Sequence, residues 1–282
     1  LDRNPDWPGL PLMMKRGEIN ITRKAAPQDV LRYFETHAPQ TGVGALRLAA
    51  AQKAIGERAK SHATITTAWS SFPMSADEQN AFVERHFRII EPHHWERLDN
   101  LLWDGNFTSA RRMFPLVSEG QRKLAEARMA LRNRDKGVDG KIEAVPSSLR
   151  NDAGLSYERF LWRVRKKRPE SALELLTSRS ASAKALGKPE KWANRRRSMA
   201  RQLMRDGRNK EAYWLAANHH LEGGRHFSDL EWLSGFIALR KLNDPDKALG
   251  HFRRFRNAVE SPISLGRAGY WEGRALEALG RE

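Results

Sequence analysis

The chain has 282 residues, of which 50 are Lys or Arg and 34 are Asp or Glu, giving a formal charge of +16. Apolar residues at 40%, with 9 Trp and 11 Phe, suffice for a packed core and exclude a disordered chain. The absence of cysteine excludes disulfides and thiolate metal centres, and the charge favours anionic partners (nucleic acid, phospholipid head groups or carboxylate-bearing polymers) without choosing among them.

In chain order, the sequence opens without Met at Leu1-Asp2-Arg3-Asn4 and carries no charged-apolar-small leader. Gly42-Val43-Gly44 lacks the third glycine and the preceding strand of a dinucleotide loop, so it is expected to start a helix. Thr64-Ile65-Thr66 is the nearest approach to strand alternation and is too short for a sheet. Ser75-x-x-Glu78 reads as a capping box, and Trp95, Leu98 and Leu102 follow at helical spacing. His86, His93 and His94 flank Pro92 at a spacing that fits no zinc motif, so they and the later His219-His220 pair are expected at the surface or at helix ends. Residues 135–140 read as a loop and 178–189 as a longer connection. Ser228-x-x-Glu231 reads as a second capping box, while Asp244-Pro245 and Ser261-Pro262 each place a cap before a first-turn proline. Ala248, Phe252, Phe255 and Val259 complete the helical pattern before Leu279-Gly280-Arg281-Glu282. No run approaches the ~18 apolar residues of a membrane span.

One local signature recurs four times: a turn residue stands five positions before an alanine, at Gly105 and Ala110, Lys167 and Ala172, Gly207 and Ala212, Asn243 and Ala248. A bulky apolar residue follows each alanine, as Met113, Leu175, Leu215 and Phe252. Such a unit is a helix hairpin whose alanine faces the partner helix where the axes come close, and each hairpin leaves an apolar face for the next to cover. The expected fold is therefore all-α, a superhelical solenoid of tetratricopeptide-like hairpins in a ring or horseshoe. It should comprise roughly fifteen helices in a single domain over residues 1–282. Both ends look cut, so the chain is expected to be part of a longer protein.

Basic clusters occur at Arg163, Arg165, Lys166, Lys167 and Arg168, at Arg195-Arg196-Arg197 with Arg201 and Arg205, and at Arg253, Arg254 and Arg256. Most charge runs are solvated outer faces, and that is the default reading here. Arg197, Arg201 and Arg205 recur at i, i+4 and share one helix face, which makes them the candidate contacts for an anionic ligand. The tryptophans sit at hairpin positions, where core packing is the expected role. No pattern of a nucleophile elbow or phosphate loop is present, and no catalytic, cofactor-binding or metal-ligating residue is assigned.

Several strings carry a resemblance to a known family. These are Asn4-Pro5-Asp6-Trp7-Pro8-Gly9-Leu10-Pro11, Ala38-Pro39-Gln40-Thr41-Gly42-Val43-Gly44-Ala45, Arg97-Leu98-Asp99-Asn100-Leu101-Leu102-Trp103-Asp104-Gly105 and Ser147-Ser148-Leu149-Arg150-Asn151-Asp152. Leu239-Arg240-Lys241-Leu242-Asn243-Asp244-Pro245 and Ser261-Pro262-Ile263-Ser264-Leu265-Gly266-Arg267-Ala268 continue them. In this order they resemble the superhelical region of soluble lytic murein transglycosylases over nearly the whole chain. The resemblance implies a periplasmic protein whose helix pairs carry a lysozyme-like domain at the C-terminal end. That domain cleaves the bond between N-acetylmuramic acid and N-acetylglucosamine, leaving a 1,6-anhydro end through one buried glutamate in a Glu-Ser motif followed by Gly-Leu-Met-Gln. Here Glu170-Ser171 and Glu260-Ser261 are the only Glu-Ser pairs and neither precedes Gly-Leu-Met-Gln, so no catalytic residue carries over and this chain alone is expected to be inactive.

The leading expectation is a murein-binding scaffold, with peptidoglycan strands and a downstream catalytic domain as partners and neither nucleic acid nor a membrane span involved. A tetratricopeptide-type docking solenoid and a basic RNA-binding repeat are the alternatives. Alanine intervals of 62, 40 and 36 residues count against a one-base-per-repeat code.

Overall fold

The computed structural model describes residues 7–281, so the string at residues 4–6 and the terminal Glu282 lie outside the described residues. Two compact units divide the chain, residues 1–150 and 151–282. Among the described residues every regular element is helical, and Thr64-Ile65-Thr66 lies within a helix.

The first unit contains α1 (Leu10–Gly17), α2 (Pro27–Tyr33), α3 (Gly42–Ala54), α4 (Arg58–Ser71), α5 (Ala76–Ile90), α6 (His94–Asp104), α7 (Phe107–Arg112), α8 (Glu119–Asn133) and α9 (Val138–Glu143). The second contains α10 (Ala153–Arg165), α11 (Pro169–Arg179), α12 (Ala183–Leu186), α13 (Pro189–Arg205), α14 (Asn209–Ala217), α15 (Gly224–Lys241), α16 (Pro245–Asn257) and α17 (Pro262–Ala278). Within each unit a helix packs chiefly on its chain neighbour or the next but one, as α3 on α4 and α5, or α13 on α14 and α15. Helix α9 begins inside the stretch expected to be a loop, because Arg134 and Gly137, both left-handed, confine the turn to residues 134–137. The 178–189 connection likewise holds the short α12, whose Leu186 is buried against Trp192.

All four turn residues are left-handed, with φ of 75° at Gly105, 54° at Lys167, 77° at Gly207 and 52° at Asn243. Their alanines, Ala110, Ala172, Ala212 and Ala248, are fully buried. In the first three turns the left-handed N–H donates three residues back and the next N–H five back. Gly105 reaches Leu102 O (3.1 Å) and Asn106 reaches Leu101 O (2.9 Å); Lys167 and Arg168 reach Val164 and Arg163; Gly207 and Arg208 reach Met204 and Leu203. The fourth turn is wider, with Asp244 N bonded to Ala238 O at 2.9 Å. A fifth hairpin joins α3 to α4: Gly56 has φ 89°, Glu57 N donates to Gln52 O, and five residues on stands Ser61, buried and bonded to Ala49 O at 2.8 Å.

The Ser75-Glu78 capping box forms, and Asp244 and Ser261 cap α16 and α17 as expected. Gly42 starts α3, where two carboxylates hold the N–H groups of its entry and first turn. Buried Glu18 accepts from Gln40 N and Thr41 N (both 2.8 Å), and Glu78 accepts from Val43 N (3.0 Å). A Cβ on Gly42 would lie 2.8 Å from Glu78 Oε1, so the glycines admit the carboxylates instead of phosphate. Val259 lies beyond α16, whereas Ala248, Phe252 and Phe255 are buried.

Because Ala248 is sealed in the contact of α16 with α15 and α17, Ala248→Phe should overpack it and lower stability by ~1–3 kcal/mol. Lys247→Phe, at an exposed neighbour, should stay within about 0.5 kcal/mol of the parent in urea unfolding.

Candidate functional site

Helix α13 carries the three candidate arginines, and the structure treats the run Arg195-Arg196-Arg197 unevenly. Arg196 corrects the reading of a solvated outer face: it is fully buried, donating to Leu215 O (2.8 Å) and to Ser180 Oγ (2.6 Å). It falls on the apolar stripe of Trp192, Ala193, Ala200 and Leu203, and burial pushes its guanidinium down to about 10. Arg197 is partly buried and ion-paired with Asp229 of α15. Burial, and then the neighbouring Arg201 and Arg225 charges, push it below the ordinary arginine value. Arg201 and Arg205 are exposed, and Arg205 donates to Gln202 Oε1 at 2.5 Å. The basic face thus runs along α13 and is joined by Arg225, in the first turn of α15, which sequence spacing could not have placed there. Like charges held together in this way attract carboxylate or phosphate groups.

The other clusters divide similarly. Lys166 and Arg168 lie over the Trp162 ring at 5.6 and 5.4 Å, so that tryptophan serves as a cation platform as well as a packing residue. Arg253 and Arg256 both pair with Glu272 at 3.1 Å, and Arg254 reaches inward to Glu231.

Glu231 also corrects the sequence reading, since Ser228 and Glu231 lie inside α15, whose cap is Gly223. The carboxylate is buried and sits at the centre of a network of side chains from three helices and one connection. His219 Nε2 donates to Oε1 (3.2 Å); His251 Nδ1 (2.6 Å) and Arg254 Nε (3.0 Å) converge on Oε2; Tyr213 Oη lies 3.0 Å from His251 Nε2. His219 and His94 are buried and not at the surface, although His94, packed on Trp69 and Phe87, starts α6 and so stands at a helix end as expected.

Glu231, His251 and Tyr213 form a carboxylate–imidazole–hydroxyl chain, the order found in hydrolytic triads. Burial pushes the Tyr213 phenol up, and the chain ties α14, α15 and α16 to one another. Glu170 is exposed and salt-bridged to Arg208 (3.1 Å), and Glu260 precedes the cap of α17; neither has the burial of a catalytic acid. Among the described residues no helix is long and apolar enough to cross a membrane. Comparison with protein-family models, curated proteins and solved structures finds no match for this chain.

Burial alone raises the Glu231 carboxyl, but hydrogen bonds from His219, His251 and Arg254 outweigh it and hold the group well below the ordinary carboxylate range. A carboxyl depressed on folding adds stability above its unfolded value of about 4.3, and that stability is lost as pH falls through the lower folded value. Parent stability should therefore drop below about pH 5. Glu231→Gln should be weaker at neutral pH by ~1–3 kcal/mol and show a flatter acid limb in urea titrations at stepped pH.

Proposed function

We propose that the chain is the superhelical, murein-binding scaffold of a periplasmic lytic transglycosylase, a tetratricopeptide-like solenoid that supports a catalytic domain downstream. The observation that supports this most is where the family-like strings fall. Thr41 caps α3, Gly42 and Gly44 admit Glu78 and Glu18, and Gly105 makes a left-handed turn. Arg97 donates to Trp69 O and Phe72 O at the end of α4, Asp99 pairs with Arg128, and Asn100 donates to Ser70 O. Asn151 accepts from Arg179, while Asp152 and Asp244 cap α10 and α16. Among the described residues the strings thus supply turns, caps and buried ties in the family's order. That is the division of labour of a scaffold.

On this reading the α13 face holds the carboxylates of peptide stems through many weak contacts, each exposed pair contributing ~0–1 kcal/mol. The isolated chain should sediment with murein sacculi at low salt and release no anhydro-muropeptides detectable by mass spectrometry. Arg201→Glu with Arg205→Glu should weaken sedimentation about three- to tenfold while leaving the circular dichroism spectrum unchanged. Anhydro products from the isolated chain would refute the scaffold role, and RNA affinity below micromolar that survives ~0.2 M salt would favour a nucleic-acid repeat instead.

A further inference from the structure

The two histidines on Glu231 turn opposite ring nitrogens to it, His219 its Nε2 and His251 its Nδ1. Leu221 N donates to His219 Nδ1 at 2.9 Å, so that nitrogen carries no proton and Nε2–H must face Glu231 Oε1. His251 Nδ1 stands 2.6 Å from Glu231 Oε2, a separation that requires a proton between them, which leaves Nε2 to accept from the Tyr213 hydroxyl. Arg254 Nη2 also approaches His251 Nδ1, at 2.7 Å, while Arg254 Nε donates to the same Oε2 that His251 Nδ1 faces.

A second proton affects the two rings differently. On His251 it arrives at Nε2, where the Tyr213 hydroxyl can turn from donor to acceptor, so no bond is lost. On His219 it arrives at Nδ1, where the Leu221 N–H points inward and cannot turn. Two donors then face each other, and the bond that closes the connection between α14 and α15 is broken. His220, left-handed with φ 55°, holds the same connection through Ser180 O at 2.8 Å, and a second proton does not disturb that bond.

We propose that His219 is an acid-operated latch on its own connection: with Nδ1 unprotonated it holds the Leu221 N–H, and doubly protonated it drops that bond while Nε2–H stays on Glu231. Glu231 of α15 faces the ring directly, and through that carboxylate His251 and Arg254 of α16, with Tyr213 of α14 behind His251, are tied to it. Arg196 of α13 holds Ser180, whose carbonyl takes His220. Phe227 closes the ring's edge at 5.5 Å. The depressed Glu231 carboxyl stays charged across the imidazole range, so release follows the histidine and not the loss of its partner.

The test uses the full chain with 15N-labelled histidine and amide exchange. At about pH 7.5, ring-nitrogen shifts should show His219 as the Nε2–H tautomer and His251 as the Nδ1–H tautomer. Between about pH 7.5 and 5, the Leu221 amide should lose protection about tenfold after correction for intrinsic exchange, while the Arg208 amide in the α13–α14 turn keeps its own. His219→Gln, which can still donate to Glu231 but does not titrate, should remove this pH dependence. A His219 protonated on Nδ1 at neutral pH overturns the latch, as does Leu221 protection that does not change with pH. Loss of protection that persists in His219→Gln also overturns it. If the variant does not fold, the parent's tautomers and the Leu221 to Arg208 comparison decide alone.

Discussion

Each hairpin depends on one backbone constraint, a single left-handed residue that ends a helix and sends the chain back along it. At Gly56, Gly105, Lys167 and Gly207 two consecutive N–H groups turn back onto the helix's last free carbonyls, and at Asn243 a wider turn does so through Asp244 N, which fixes the angle at which the next helix leaves. The angle sets which residue of the new helix first meets the old one, five positions later, and closeness there demands a small side chain. Ala110, Ala172, Ala212, Ala248 and Ser61 all meet this demand and are buried. Farther along the same contact, Gly235 lets the Phe252 ring approach so closely that an added Cβ would lie 2.6 Å from it.

Helix ends that the turns leave open are closed by buried arginines. Arg97 reaches the last carbonyls of α4 and stacks on Trp69 at 4.6 Å, while Arg196 ties the end of α14 to Ser180, which caps α11. Burial, with Arg112 adding to it, pushes the Arg97 guanidinium down to about 10, yet it stays charged and complements the negative end of the helix dipole. A planar fork that serves two carbonyls explains arginine over lysine at such positions. Part of the +16 charge is therefore internal framework and unavailable to a ligand, which leaves the exposed run on α13 as the stronger binding signal.

The sequence was most readable where one residue decides the local geometry. Glycine, asparagine or, once, Lys167 before a cap, and alanine five places on, announced four hairpins; the fifth escaped because its small residue is Ser61. Arg196 could have been found too, since it recurs with Trp192, Ala200 and Leu203 on one helical stripe, but three arginines in a row suggest solvent. Glu231 was misread because Ser-x-x-Glu describes a helix start only when the chain is not already helical there, and that depended on Gly224, left-handed at φ 79°. The histidine network joins residues 213, 219, 231, 251 and 254, and no local spacing encodes it.

The turn constraint is tested most directly by a pair of substitutions measured in one urea-unfolding experiment, Gly207→Ala and Lys167→Gly. A Cβ at Gly207 meets no atom within 4 Å, so any loss there comes from φ alone. Left-handed backbone costs a residue with a side chain ~1–2 kcal/mol. Gly207→Ala should therefore destabilise by about that much, and Lys167→Gly should stabilise by about 0.5–1 kcal/mol. Opposite signs support the account; a neutral Gly207→Ala, or two changes of the same sign, would contradict it.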